Sequence, residues 1–487
     1  MERWNVVIVG AGISGCCAAY ELARAGAQVL VLEKGGDIAA GATRANSAVV
    51  HSGYDPEPGT CMALYNVQGN ALIHARAWAW NLPFRQTGSL TVAFGAAEKA
   101  ALQQLLERGR DNGVPGLAIL PPEELYKKEP RVAAGASGAL WAPTCAVIGP
   151  WELAIAHAEN AAAHGACFLF GQEVTAIRRS GEGFAVTTSR GSYETDLVLN
   201  AAGTCADEVL AMAGGGGYTI SPVKGEYFLL DKSAGDTVHS VLFSLPGEKG
   251  KGVLLAPTVH GNLIVGPSAD PARDPEDTST TAQGLAGVET AARRLVPEVP
   301  LNTSIRSFTG VRARPSTGDF VLGQRTDIPG FYEMGGMQSP GLTAAPAAAC
   351  AVAEQMLAAL GLAPVKEEEP VPAFCWPTPF RELPLAEQEA LIARDPRYGR
   401  VICRCETVTD GEILRALRSP LTPPTVGAVK RRCVAGLGRC QGGFCGPRVQ
   451  ELIARERQIP LEDVCQENAG SWLLTGKTKG GQSDERS

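Results

Sequence analysis

No export signal is expected, since Met1 to Asn5 lead at once into the apolar run Val6 to Val9 and a glycine turn. The chain also lacks a convincing membrane span: its most apolar later stretch, Ala344 to Leu362, is alanine-rich and carries Glu354 and Gln355, as a buried helix would. Without either feature the expected compartment is a reducing cytoplasm, where thiols stay free or bind metal rather than pairing. Positive charge is not in excess. With 44 Lys+Arg against 51 Asp+Glu the net charge is -7, which excludes a global pull toward nucleic acid or anionic membrane. Apolar residues at 45% and charged residues at 20% provide ample core for a globular chain. At roughly 150 residues per domain, the length of 487 residues corresponds to about three domains. Cysteine is the unusual component, because fourteen are too few for a disulfide scaffold and too many to ignore.

Val6 to Val9 form an apolar strand, Gly10-Ala11-Gly12-Ile13-Ser14-Gly15 a GxGxxG turn, Cys16 to Ala25 a helix of small and apolar residues, and Gln28 to Leu32 a second strand ending at Glu33. In this order they make a dinucleotide-binding βαβ unit. Gly10 permits the tight turn, Gly12 the approach of a pyrophosphate, and Gly15 close packing of helix on strand. The diphosphate sits on the helix N-terminus, and Glu33 is placed to accept from ribose hydroxyls. No second fingerprint follows, and Gly214 to Gly217 is a glycine run without the spacing. One dinucleotide is therefore expected, and its place at the N-terminus favours FAD, with a small molecule as the other redox partner.

Helices are expected at Gly95 to Arg110, Pro121 to Glu129 and residues 151 to 164, and strands over Glu173 to Thr188 and Asp196 to Ala202. Shorter strands with Pro/Gly turns run from Tyr218 to about Gly318, and Gly330 to Met337 is a last strand and turn before the alanine-rich helix. The fold class is α/β. A Rossmann-like FAD-binding domain is assembled from residues 1–85, 150–215 and 320–362, with an inserted antiparallel-sheet substrate domain from 86–149 and 216–319. Six prolines between Pro364 and Pro384, with the acidic run Glu367 to Glu369, make 363–397 a stiff, exposed linker. A small helical module follows at 398–465, then a polar, glycine-rich flexible tail at 466–487. Residues 398–487 carry 14 Lys/Arg and 10 Asp/Glu, so this part is basic on an acidic body.

Cys403 and Cys405 are followed, after 34 intervening residues, by Cys440 and Cys445. Thr409 with Glu412 is a capping box, Val426 to Val434 reads as a second helix, and Pro447 suits the first turn of a third. The thiols thus lie in loops held by three small helices, a setting for structural zinc or a [2Fe–2S] cluster. The CxC pair, and a second pair spread around Gly442 and Gly443, favour the cluster over zinc. Lys430, Arg431, Arg432 and Arg439 either offset a cluster's negative charge or, for the first three, line a solvated helix face.

Residues 400–456, above all GRCQGGFC at 438–445, resemble the bacterioferritin-associated ferredoxin-like [2Fe–2S] domain appended to anaerobic glycerol-3-phosphate dehydrogenase catalytic subunits. The segment GATRANSAVVHSGYDPEPGTCMALYNVQGN at 41–70 resembles the flavin-proximal segment of the glycerol-3-phosphate dehydrogenase/oxidase branch of the D-amino-acid-oxidase-like superfamily, and GVRARPSTGDFVLG at 310–323 belongs to the same pattern. L-2-hydroxyglutarate dehydrogenases share much of it. The resemblance implies FAD held by Gly10, Gly12, Ser14, Gly15, Glu33, Lys34, Thr43, Asn46, Ser47, Val174, Ala202, Gly203, Gly336, Gly341, Leu342 and Thr343, and a [2Fe–2S] cluster on Cys403, Cys405, Cys440 and Cys445. It implies His51 as the base, suited by an imidazole pKa of about 6.5 to take a hydroxyl proton at neutral pH. Arg312 is its second catalytic residue, and Ser47, Lys251, Arg314 and Ser339 contact the substrate. Lys224 is a further cation without a defined role.

The expected activity is FAD-dependent oxidation of sn-glycerol 3-phosphate to dihydroxyacetone phosphate, with electrons leaving through the cluster to a second flavoprotein or small iron–sulfur subunit. A phosphate and a carboxylate ask for the same arginines, so a 2-hydroxy acid such as L-2-hydroxyglutarate, an amino acid or an opine is the alternative substrate. An electron-transfer subunit without its own substrate site is the alternative of another class, and the intact His51 segment speaks against it.

Overall fold

The structure, a computed structural model, describes residues 3–245, 252–365 and 372–476. The chain divides into two compact units, one of Met1–Lys34 with Ile38–Trp376 and the other of Gly35–Asp37 with Pro377–Ser487.

The first unit is built on two large sheets. In the eight-stranded sheet, Arg3–Val9 lies between Ser192–Asn200 and Val29–Glu33, parallel to both, and Cys167–Phe170 continues the parallel set beyond Val29–Glu33. Phe331–Gly335 adds in parallel to the end of Ser192–Asn200. The sequence reason is direct: Val6, Val7 and Ile8 are fully buried, as befits strands covered on both faces. The fingerprint helix, Ile13–Arg24, packs on Pro150–Ala163 and on the alanine-rich helix Gly341–Ala359. Gly341–Ala359 is long and apolar enough to cross a membrane, yet it is mostly buried in the protein, between the fingerprint helix and a third helix, Cys61–Ala79.

The nine-stranded sheet draws its strands from residues 89–142 and 220–315 and is antiparallel except where Val241–Ser244 runs parallel to Ser89–Phe94. Its longest pairing joins Ile220–Leu230 to Ser304–Pro315, in register from Ile220 opposite Pro315 to Tyr227 opposite Phe308. This is the expected α/β fold, a Rossmann-like domain with an inserted antiparallel sheet and a separate small helical unit.

In the second unit Asp410–Arg418, Val426–Cys433 and Gly446–Arg457 pack around Ile413, Leu417, Val429 and Ile453. Both halves of the Thr409/Glu412 capping box are formed.

Two expectations of loose chain are corrected. Residues 372–376 are laced to the first unit, with Asn160 bonding both the N–H and the carbonyl of Phe374 (2.9 and 3.1 Å) and Trp376 N–H donating to Trp80 O (2.7 Å). Phe380 N–H donates to Glu412 in the second unit (2.9 Å), and Leu385–Arg394 is a helix. Proline count suggested an exposed rod, but Trp376 and Phe380 are buried anchors, and their burial outweighs the missing proline donors. Likewise residues 466–471 are not free: Gly427 N–H donates to Gln466 O (2.8 Å) and Glu467 pairs with Arg431 (2.9 Å). Arg431 and Arg432 are themselves buried and both pair with Asp37 at 2.8–2.9 Å. They are therefore neither a solvated face nor open counter-charges for a cluster.

Candidate active site and cysteine loops

The glycine turn makes a cradle at the end of the parallel strands. Gly10 has φ +105°, and a Cβ there would lie 2.6 Å from Ala201 O and 3.3 Å from Ala202 Cα, so the turn needs glycine and lies against the end of the strand Ser192–Asn200. A Cβ at Gly15 would collide with Gly10 O. Gly12, in contrast, faces open space, where a Cβ would meet only Thr43 Oγ1 at 3.4 Å. The N-cap residue of the helix that starts at Ile13 is Gly12, which has no side chain to cap it, and Ile13 N–H donates instead to Thr43 Oγ1 (3.0 Å). Glu33 Oε2 accepts from Ala11 N–H (2.7 Å), which fixes the carboxylate at the end of the second strand. A helix N-terminus with a glycine N-cap, a gap over Gly12 and a fixed acid fit the diphosphate and ribose of a dinucleotide.

The other residues expected around the cofactor are placed unevenly. Asn46 is spent on its own loop, donating to Thr43 O (2.8 Å) and accepting from Ala48 N–H (2.8 Å). Lys34 is exposed and pairs with Glu276 (2.7 Å). Val174 is packed in the core. Ser47, Leu342 and Ser339 are half-buried, and Gly336, Gly341 and Thr343 are buried in the turn and helix after the last strand.

His51 is gripped by its backbone. Its N–H donates to Thr343 Oγ1 (3.0 Å), and its carbonyl accepts from the amides of Asn66 (2.8 Å) and Asn70 (3.1 Å). Asn66, Asn70 and Thr343 are all buried. Between the two asparagines Gly69 lets the helix touch the chain at Thr343, where a Cβ would collide with the carbonyl oxygen. The helix Cys61–Ala79 is in turn seated by Asp319, whose carboxylate takes the N–H groups of Cys61 (2.7 Å) and Met62 (3.0 Å). Asn66, Gly69, Asn70 and Asp319 were not anticipated. The available signal was the i, i+3, i+4 spacing of two amides and a glycine in an otherwise ordinary helix. His51 itself is half-buried and borders a shallow recess, partly open to solvent, shared with Tyr54, Asp55, Asn66, Thr91 and Phe243.

Arg312 and Arg314 lie on one side of the strand Ser304–Pro315, the first half-buried and the second exposed. Gly310 of this strand presses on Ala45, so the strand meets the loop carrying Ser47. Arg312 Nη2 donates to Ser268 O (3.2 Å) and the guanidinium also engages Tyr227, which leaves some of its five N–H donors for a ligand. Lys224 is buried and committed to Glu226 (3.4 Å) and Ser279 O (3.3 Å), a structural cation. Lys251 lies outside the described residues.

In the second unit Cys403 Sγ lies 3.8 Å from Cys405 Sγ, which lies 3.9 Å from Cys440 Sγ, and Cys445 bonds Cys403. A tetrahedral metal with sulfur ligands at about 2.3 Å has sulfur–sulfur edges of about 3.8 Å, so the spacings suit metal-bound thiolates. Among the described residues no three such side chains are already closed around one point, and the four thiols form an open string rather than a single-ion tetrahedron. The N–H groups of Phe444 and Gly442 hold the Cys440 thiol below its usual range. The donor set fits a [2Fe–2S] cluster.

Residues 5–355 match the family model "FAD dependent oxidoreductase" and residues 401–455 the "BFD-like [2Fe-2S] binding domain". The chain is 41% identical over 476 residues to a glycerol 3-phosphate dehydrogenase of Caloramator mitchellensis, covering 98% of this chain and 99% of that protein. It is 32% identical over 363 residues to a glycerol 3-phosphate oxidase of Mycoplasma genitalium, covering 72% and 93% respectively. The dithionite-reduced, FAD-bound L-alpha-glycerophosphate oxidase of Mycoplasma pneumoniae superposes with a TM-score of 0.71 at 30% identity, over 78% of this chain and 100% of that one.

Proposed function

The chain belongs to the FAD dependent oxidoreductase family, and from that footing we propose that it oxidises sn-glycerol 3-phosphate to dihydroxyacetone phosphate and passes the electrons on singly to a partner redox protein. The observation that carries this reading is His51, whose backbone is locked at both its N–H and its carbonyl. An imidazole so placed is a base held for one task.

His51 takes the proton of the substrate's C2 hydroxyl as the C2 hydride departs, and the recess beside the ring gives that proton a route to solvent. Arg312, with Arg314, Lys251, Ser47 and Ser339, binds the phosphate and orients C2; a guanidinium fork suits phosphate oxygens in pairs. Gly10, Gly12, Ser14, Gly15, Glu33, Thr43, Ala202 and Gly203 would hold the FAD, and Cys403, Cys405, Cys440 and Cys445 the cluster. When bound, the flavin supplies a two-electron hydride acceptor and the cluster a one-electron carrier. The partner is a second flavoprotein or small iron–sulfur subunit. We place the enzyme in the cytoplasm, where its fourteen cysteines, none of them joined in a disulfide, would remain reduced.

The test is turnover with a dye acceptor. Dihydroxyacetone phosphate should appear in proportion to dye reduced, and Arg312→Leu should raise KM for glycerol 3-phosphate by about tenfold or more. Dye reduction without that product would refute the substrate.

A further inference from the structure

The two loops that carry the cysteines reach the surface, and the charges they expose are all positive. Cys405 and Cys440 are exposed while Cys403 and Cys445 are buried, so one side of the thiol string faces solvent. Around it Arg404, Arg439 and Arg448 are exposed, and so is Phe444, at 54%. Across 404–407 and 438–448 no exposed residue is a carboxylate. The single acid in these loops, Glu406, is buried and paired with Arg381 (3.1 Å). Arg404 lies over the Phe444 ring at 4.6 Å, a stacked pair whose aromatic member remains open to solvent.

We propose that this face docks a small acidic one-electron carrier protein, with Phe444 at its centre and Arg404, Arg439 and Arg448 as its cationic rim. The proposal rests on the [2Fe–2S] reading of the four cysteines and extends it to the partner. An exposed aromatic stacked with an arginine is the composition that dominates interface energies. The charge pattern selects the partner's sign: a chain of net charge -7 repels an acidic protein at long range except where a local cationic patch receives it. Exposed thiolate ligands also shorten the electron's path to a carrier seated there. Each transfer moves one electron from the reduced protein to one oxidised carrier, so two carriers are reduced for each glycerol 3-phosphate oxidised.

The rim has a competing explanation, that the arginines only tune the potential of a negatively charged cluster. The two accounts differ in sign. Holoprotein reduced with dithionite and freed of excess reductant is mixed in stopped flow with oxidised rubredoxin, which is acidic, or with oxidised cytochrome c, which is basic. Starting from dithionite makes the outcome independent of the substrate. Visible and electron paramagnetic resonance spectra taken first report the cluster, and their absence would overturn the cluster reading and the docking face together. With the cluster present, rubredoxin should be reduced faster, at a rate that falls about tenfold or more as salt is raised. Arg404→Glu combined with Arg448→Glu should slow rubredoxin about tenfold and speed cytochrome c, with the cluster spectrum unchanged. Phe444→Ala should weaken rubredoxin binding in calorimetry without altering the salt dependence. A native protein that prefers cytochrome c, variants that move both carriers in the same direction, or variants that move neither would overturn the docking face.

Discussion

The side-chain amide of Asn66 donates to the main-chain carbonyl of His51 at 2.8 Å, so the residue proposed as base is positioned by a buried group fifteen residues away. Asn70 repeats the contact one turn on, at 3.1 Å, and also bonds Thr144 O (2.9 Å). Asn66→Ala should lower kcat by about 10- to 100-fold with a smaller change in KM, because it shifts the base rather than the phosphate site. It removes one of the two donors to the His51 carbonyl, leaving Asn70, at a cost of about 0.5–1.5 kcal/mol in stability. Steady-state kinetics and thermal melts of the same preparation check both, and an unchanged kcat would mean that the grip on His51 is only structural.

His51→Asn should keep the flavin, whose expected cradle lies around Gly10 to Gly15, and lose about 10²–10⁴ in the rate of flavin reduction. Rapid-mixing absorbance at the flavin band measures it. A variant that reduces its flavin at the native rate would remove His51 from the mechanism.

Cys440→Ser should abolish or alter the cluster's visible spectrum while flavin reduction by substrate proceeds. Transfer to a one-electron protein acceptor should then fail. If transfer persists at the native rate, the cysteine loops are not the exit.

Glu333 gives a pH prediction. It is fully buried, bonded through Oε2 to Asn200 (2.9 Å) and Tyr218 (3.1 Å), and burial pushes its carboxyl up from 4.5 to about 8. The folded protein therefore keeps this proton up to about pH 8, whereas the unfolded chain releases it near pH 4.5. Stability from this group is full below the lower value and is lost as pH rises between the two, at up to about 1.4 kcal/mol per pH unit. Glu333→Gln, which cannot ionise, should flatten that slope in melting temperature between about pH 5 and 8. An equal slope in the variant would assign the effect to other groups.

The parts of the fold that the sequence made legible are those with local causes. The run Val6 to Glu33 reads as strand, turn, helix and strand because burial, glycine geometry and charge act within thirty residues, and Thr409 with Glu412 announces a helix start over three. The grip on His51 was hidden because its members, His51, Asn66 and Thr343, are brought together only by the packing of Cys61–Ala79 against Gly341–Ala359. Asp319 was hidden for the same reason: nothing local links an acid to the start of a helix 258 residues before it. The proline-rich stretch misled because composition reports missing donors and not the buried rings of Trp376 and Phe380.

The most direct test of the central claim is anaerobic titration of the native holoprotein with glycerol 3-phosphate, followed by flavin absorbance, beside L-2-hydroxyglutarate and an amino-acid panel. The predicted result is bleaching of the flavin by glycerol 3-phosphate and not by the acids. Bleaching by a 2-hydroxy or amino acid with none by glycerol 3-phosphate, or bleaching by no donor at all, would contradict it.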